Sequence, residues 1–448
     1  MKVVVIDDDP TGSQTVHSCL LLLRWDVEAL RRGLRHGSPL LFVLADTRSL
    51  TPDAAAQRNR EIVTNLEKAL AQEGFDRSEI QLVSRGDSTL RGHGVLEPAV
   101  LERCFGPFAA TLHVPAFLEG GRTTVNGVHL LHGEPVHTTP FAKDRLFGFS
   151  TSDLPHWLEQ KSAGAICAAD VVKVSLEDLD QALTGGMPHM IQRLAALHGN
   201  AAVVVDAEHQ SQLAALAAAV LALKGERRFL FRSAASLVKA LADPGPQPLD
   251  SAGLARLRRR GRNGEELPGL VMVGSHVPLA DQQLMRLLRD PRCIGLELPV
   301  RRIARVLVGG TPDLLLADLE QEWCEQLQAL LQSGRTPVLF TSRGEIRLAS
   351  ASKGRLLSQT LARLMGRLAR DVVPGLGYLI SKGGITTQTL LADGLGLEAV
   401  ELEGQLMPGL SLVRPSVGVA QALPILTFPG NLGTDSSLFE AWQWMQAG

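Results

Sequence analysis

The pattern that most narrows the possible folds is an alternation of short, uninterrupted apolar runs with longer amphipathic stretches. In the first half the runs are Lys2–Ile6, Leu40–Ala45, Ile80–Ser84, Thr111–Pro115, Ala202–Asp206 and Arg228–Arg232. Continuous rather than alternating apolar runs belong to strands covered on both faces, the habit of a parallel sheet. Between them lie helix-like segments such as Thr51–Gln72, opened by Thr51-Pro52-Asp53, and Gln210–Lys224. The rhythm resumes with Gly269–Gly274, Pro337–Ser342, Gly377–Ser381 and Pro424–Phe428, and with helices at Asp318–Gln332 and Lys353–Ala369. A chain of 448 residues is too long for one ordinary core at ~100–200 residues per domain. The pattern predicts an α/β protein of two domains, each a mostly parallel sheet flanked by helices. The Pro-rich stretch Asp243–Asp250 reads as the break, with domains at 1–242 and 269–448 and a linker at 243–268. The basic run Arg256–Arg262 within that linker reads as a solvated helix face.

Charge and composition exclude several partners. Lys plus Arg number 45 against 47 Asp plus Glu, for a net charge of −2, so the basic excess of a nucleic-acid or anionic-membrane binder is missing. Aromatics are 4% with one tyrosine, Tyr378, which leaves little for base-stacking platforms. Cys19, Cys104, Cys167, Cys293 and Cys324 are odd in number and form no C-x-x-C pair, so neither a disulfide framework nor a zinc site is expected. The N-terminal run meets three aspartates too soon for a signal peptide. The longest apolar stretch, Leu213–Leu223, falls short of the ~20 residues a membrane span needs. These features predict a cytoplasmic protein with a small polar substrate.

In a doubly wound sheet, ligands bind beyond the carboxyl ends of the strands. The first run ends in Asp7-Asp8-Asp9-Pro10-Thr11-Gly12-Ser13, the second in Asp46-Thr47-Arg48, and the third in Arg85-Gly86-Asp87-Ser88-Thr89-Leu90-Arg91-Gly92. The fourth is followed by Glu119 to Thr124. Guanidinium forks grip carboxylates and aspartates accept hydrogen bonds from sugar hydroxyls, so this edge suits a polyhydroxy acid. Asp7, Arg48 and Arg85 are candidates on that chemistry. Any one of these aspartates or hydroxyls could instead cap a helix; three strand ends together favour the binding reading.

The second half has another edge. Its strand ends carry Gly274-Ser275-His276, Thr341-Ser342-Arg343-Gly344-Glu345, Ser381-Lys382-Gly383-Gly384-Ile385-Thr386-Thr387 and Phe428-Pro429-Gly430-Asn431-Leu432-Gly433. Glycine lets backbone N–H groups approach an anion, so Lys382 to Thr387 reads as a phosphate cradle without a G-x-x-x-x-G-K-[ST] motif. The alternative is that the glycines only make tight turns. His17, His93 and His276 lie near these loops without the spacing of a metal site.

Together, Asp7 to Gly12, Asp87 to Gly92, Gly121-Arg122-Thr123-Thr124 with Gly127, Thr139 to Asp144 and Pro429 to Gly433 resemble the four-carbon acid sugar kinase family. The resemblance runs in order from residue 3 to about 440. It implies a two-domain kinase that uses ATP to phosphorylate a hydroxyl of a threonate, erythronate or oxo-tetronate type acid, with the active site in the cleft between domains. It implies acid-sugar contacts at Asp8, Asp87, Ser88 and Arg91; on the chemistry of guanidinium forks, the arginines of the first domain are expected to hold the substrate carboxylate, with Arg91 the leading choice. It places ATP at Ser275, Gly383, Gly384, Ile385, Thr386 and Gly430, with Mg2+ on the phosphates. Asp8 is the first candidate for the base and Asp87 the second. Arg85 and Gly86 stand where family members commonly carry a lysine and an aliphatic residue.

Two rivals follow from the same residues. Asp7-x-Asp9-x-Thr11 fits the D-x-D-x-[TV] motif of a haloacid-dehalogenase-type phosphatase, with Lys382 as a partner, though no downstream G-D-x-x-x-D motif follows. A non-catalytic two-domain ligand-binding protein is the other. An Ala/Leu-rich helix face offers a surface for a homodimer.

Overall fold

The computed structural model describes residues 1–9, 15–307, 312–343 and 351–448. They divide into two compact units, Met1–Pro246 and Gln247–Gly448. Residues 10–13, Gly344 and Glu345, read above as parts of two strand ends, lie outside the described residues.

The first unit is built on β1 (Lys2–Asp7), β2 (Cys19–Leu22), β3 (Leu40–Leu44), β4 (Ile80–Arg85) and β5 (Ala110–Val114). A small antiparallel sheet of β6 (Arg122–Val125), β7 (Val128–Leu131) and β8 (Glu134–Pro135) follows, then β9 (Val172–Val174), β10 (Ala201–Val205) and β11 (Phe229–Ser233). The large sheet runs β2-β3-β1-β4-β11-β5-β10-β9, and every pairing is parallel. Its central strands are buried throughout, as the continuous apolar runs require. The helix Pro52–Glu73 begins where expected: Thr51 caps it, Pro52 occupies its first turn, and Gly74 closes it in the left-handed conformation.

The second unit holds β12 (Gly269–Val273), β13 (Cys293–Leu298), β14 (Thr336–Thr341), β15 (Tyr378–Lys382), β16 (Ala399–Met407), β17 (Leu410–Arg414) and β18 (Ile425–Phe428). The order is β13-β14-β12-β15-β18-β17-β16; the first five strands are parallel and β17 and β16 complete the sheet antiparallel. β16 escaped the sequence reading because its burial alternates, an amphipathic signature unlike the buried parallel strands.

The segment after the Pro-rich break is core rather than spacer. Leu254 and Ala255, in the short helix Ser251–Ala255, belong to the apolar cluster of the second unit. The basic run is not a helix face, and although Arg256, Arg260 and Arg262 are exposed, the other two arginines turn inward. Arg258 is buried and donates to the carbonyls of Leu267 (Nη2, 2.7 Å) and Gln446 (Nη1, 2.9 Å). Arg259 donates to the carbonyl of Leu376 (Nη2, 2.8 Å). These arginines satisfy backbone carbonyls from three separate stretches of the chain.

The same cluster takes in the C-terminal helix Ser437–Ala447, whose Trp442 is fully buried and donates from Nε1 to Thr336 Oγ1 at 3.1 Å. Trp442→Ala should destabilise the protein by about 3–5 kcal/mol, read as a lowered urea midpoint. A loss of unfolding free energy below ~1 kcal/mol would show that the indole does not anchor this helix.

Candidate functional site

Because β3, β1, β4 and β11 are parallel neighbours, their carboxyl ends lie side by side. That places Asp7, Asp8, Arg48, Arg85, Asp87 and Arg232 on one edge. Arg48 forks onto Asp8 (Nη2–Oδ1 2.6 Å, Nε–Oδ2 3.2 Å) and reaches Asp9 Oδ2 at 2.8 Å. Arg85 Nη1 lies 3.3 Å from Asp7 Oδ1 and 3.6 Å from Asp8 Oδ1. In the loop beyond β4, Arg91 Nε donates to Asp87 Oδ2 at 2.7 Å, Thr89 donates to the same oxygen, and Arg91 stacks over Phe141. Ser88 is buried, and its carbonyl accepts from His129 Nε2 at 2.7 Å. The acid-binding residues expected from the sequence are therefore brought together, each already engaged with a neighbour.

Arg232 was missed. It stands one residue before the end of β11, donates to Ser84 Oγ (2.8 Å) and Glu97, and its Nη2 stands 4.0 Å from Asp8 Oδ2. Glu97 in turn accepts from Thr47 Oγ1. This guanidinium explains Gly86: a Cβ there would sit 2.3 Å from Arg232 Nη2. The strand-end rule would have found Arg232 had it been applied to Arg228–Arg232 as it was to the earlier runs.

The two kinds of aspartate diverge. Burial pushes the Asp7 carboxyl up to about 7, with Arg85 opposing and Asp8 and Asp9 adding to the rise. Burial alone would raise Asp87 too, but the charges of Arg48 and Arg91, with hydrogen bonds from Arg91 and Thr89, hold it well below the usual carboxylate range. Asp87 is therefore a charged acceptor and a weak base, which counts against it as the second candidate for the base.

In the second unit, β14, β12, β15 and β18 again put their carboxyl ends side by side. A cavity of about 280 Å³ opens there, lined by Ser275, Gly383, Gly384, Ile385, Thr386 and Gly430 together with His276, Thr341, Ser358, Leu361 and Met365. All six residues expected to meet the nucleotide line it. Ile385 points its side chain to solvent and so offers only its backbone. Thr387 turns inward to Ser381 Oγ at 2.9 Å. Close approach of the loops depends on Gly274, where a Cβ would fall 1.9 Å from Thr386 Oγ1. The apolar wall of Leu361 and Met365, from the helix Ala351–Val372, had no signal in the sequence beyond ordinary amphipathicity.

Lys382 is fully buried, donates to the Pro429 carbonyl at 3.0 Å and lies 3.9 Å from the Phe428 ring centroid. Burial lowers its pKa to about 7. Engaged in this way, it does not serve as the phosphatase partner, and Asp9 is held by Arg48. Thr11 of that motif lies outside the described residues.

Comparisons with known proteins agree with this division. A family described as a sugar-binding N-terminal domain matches residues 3–241, and one described as a nucleotide-binding C-terminal domain matches residues 270–438. A D-threonate kinase of Cupriavidus necator is 29% identical over 415 residues, covering 89% of this chain and 86% of that protein. A D-erythronate kinase of Heliobacterium modesticaldum is 23% identical over 457 residues, covering 97% and 95%. The crystal structure of a Haemophilus influenzae protein shares the fold with a TM-score of 0.64 at 17% identity, covering 99% of each chain. No helix among the described residues is long and apolar enough to cross a membrane.

Two outcomes follow from the site geometry. A carboxyl whose folded pKa lies near 7 rather than at its ordinary 3.8 disfavours folding progressively as pH rises between those values. Asp7→Asn removes that loss, so its melting temperature should fall less than wild type between pH 5 and 8; parallel curves would refute the buried, protonated Asp7. Gly274→Ala should weaken nucleotide binding at least ~10-fold by titration calorimetry, since the added methyl displaces Thr386.

Proposed function

Since this chain belongs to the four-carbon acid sugar kinase family, we propose that it transfers the γ-phosphoryl group of ATP to a hydroxyl of a threonate- or erythronate-type acid. The observation that supports this best is the pairing of two unlike strand-end sites in one chain. One is crowded with carboxylates and guanidiniums, and the other is lined by glycines, hydroxyls and an apolar wall.

The nucleotide would lie in the second unit's cavity, its base against Leu361 and Met365 and its phosphates against the backbone of Gly383, Gly384, Ile385 and Gly430 and the hydroxyls of Ser275 and Thr386. Among the described residues no three His, Cys, Asp or Glu side chains cluster as a metal site. Mg2+ would then be carried chiefly by the phosphates and water, the habit of this ion, and would offset phosphate charge when bound. The hydroxyls of Ser275 and Thr386 are protein oxygens that could complete its shell.

The acid would lie in the first unit against Asp8, Asp87, Ser88, Arg48 and Arg91. Phosphoryl transfer goes through a loose transition state, so positioning and charge do most of the work. Asp8 is the base: the Arg48 fork and Arg85 hold its carboxylate in one orientation, ready to accept the proton of the attacking hydroxyl. Asp87, kept ionised, accepts a hydrogen bond from a second hydroxyl and so orients the acid. Asp7, which burial pushes up to about 7, is partly protonated near neutral pH and so lessens the negative charge beside the incoming phosphate.

The direct experiment measures ATP consumption with D-threonate and D-erythronate. Turnover with a four-carbon acid is expected, and none with either acid or their oxo forms would refute the reading. Asp8→Asn should lower kcat by about 10²–10⁴-fold while the acid still raises the melting temperature; turnover near wild type would remove Asp8 from the base role.

A further inference from the structure

The arginines around the acid site are not equivalent. Arg48 spans Asp8 and Asp9, Arg85 faces Asp7 and Asp8, Arg91 is bonded to Asp87, and Arg232 is bonded to Glu97. Arg122, at the start of β6, differs. Among the described residues it has no carboxylate partner. Its Nη1 donates to the Gly120 carbonyl at 2.6 Å, and its guanidinium carbon lies 5.6 Å from the centre of the Phe117 ring. Its Nε is buried and makes no hydrogen bond.

The hairpin that carries Arg122 is tied to the substrate loop. Thr124 Oγ1 meets His129 Nδ1 at 2.9 Å across the β6–β7 pair, and His129 Nε2 donates to the Ser88 carbonyl at 2.7 Å. Burial lowers the His129 pKa to about 4, so the ring stays neutral and keeps this donor and acceptor arrangement at working pH. Residues two apart on a strand share a face, so Arg122 projects on the side of Thr124, toward the loop of Asp87 to Arg91. Asp87 and Arg91 are the charged groups that Arg122 feels, and burial is the main cause that lowers its own pKa.

A partly desolvated guanidinium without a counter-charge is unfavourable unless an anion arrives with a ligand. Arg91, by contrast, is already neutralised by Asp87 and stacked on Phe141. We propose that Arg122, rather than Arg91, takes the carboxylate of the substrate, and that it selects a sugar acid over the corresponding neutral polyol. Arg91 then acts as a positioning residue that holds Asp87 toward the substrate's hydroxyls. This inference rests on the sugar acid reading above.

The test compares wild type, Arg122→Gln, Arg122→Lys and Arg91→Gln with D-threonate, D-erythronate and the matching four-carbon polyols. Arg122→Gln should raise KM for the acid ~10–100-fold, the worth of a charge-assisted hydrogen bond, with kcat and KM for ATP changed far less. Its preference for acid over polyol should shrink by the same factor. The melting temperature without ligand should hold or rise, whereas a purely structural arginine would lower it. Arg122→Lys, which keeps the charge and loses the fork, should fall between the two and covers the case in which Arg122→Gln misfolds. An acid KM within ~2-fold of wild type in Arg122→Gln, or loss of the acid-induced melting shift in Arg91→Gln alone, would overturn the assignment. The melting shift needs no turnover: an acid that stabilises wild type but not Arg122→Gln, with no ATP consumed by either, would sink the kinase reading and leave this one standing. An acid that stabilises neither would overturn it.

Discussion

Buried charge at the carboxyl edge of the first sheet is what the acid site depends on. Asp7, Asp8, Arg85, Arg232 and Glu97 are all nearly sealed from water. Removing a single ion from solvent costs several kcal/mol, so such groups persist only when each is matched to another or protonated. Here both solutions occur: Arg85 is set against Asp8 and Arg232 against Glu97, while burial pushes the Asp7 carboxyl up to about 7, so that it is partly protonated near neutral pH. The buried layer fixes the half-exposed groups above it. Arg48 takes its direction from Asp8, and the loop beyond β4 takes its shape from Arg232 filling the space over Gly86.

The second unit answers a different electrostatic demand. Its cavity has hydroxyls and glycine backbone where the first unit has ion pairs, and Lys382 is turned into the protein against Pro429. A nucleotide brings its own negative charge. A site that presents N–H groups and small side chains can accept that charge without paying to bury opposing ions beforehand. The two sheets thus use the same edge of the same architecture in different ways, one lined by ion pairs and the other by uncharged groups, and the near-neutral total of the chain conceals the difference.

Some of this could be read from the residues alone. The continuous apolar runs at Lys2–Ile6 and Ile80–Ser84 announce buried parallel strands, and the polar residues that follow them mark the ligand edge. Arg232 closes its run in the same way and could have been weighed with them, but its partners could not, because β11 is inserted between β4 and β5 by the sheet order and meets Ser84 across 148 positions of sequence. β16 was hidden by its alternating burial. Arg258 and Arg259 looked solvated because a basic run usually is, yet each finds a cluster of carbonyls that only the folded chain assembles.

What the sequence determined by itself was the class of fold, the presence of two units and the residue types at each strand end, since these follow from local periodicity and from which side chains close each run. Tertiary structure decided the pairing: which arginine meets which aspartate, which carboxyl burial pushes up toward neutral pH, and which guanidinium, among the described residues, lacks a carboxylate partner. Those outcomes depend on distance and desolvation between residues far apart in the chain. Neither quantity exists until the strands take their order in the sheet.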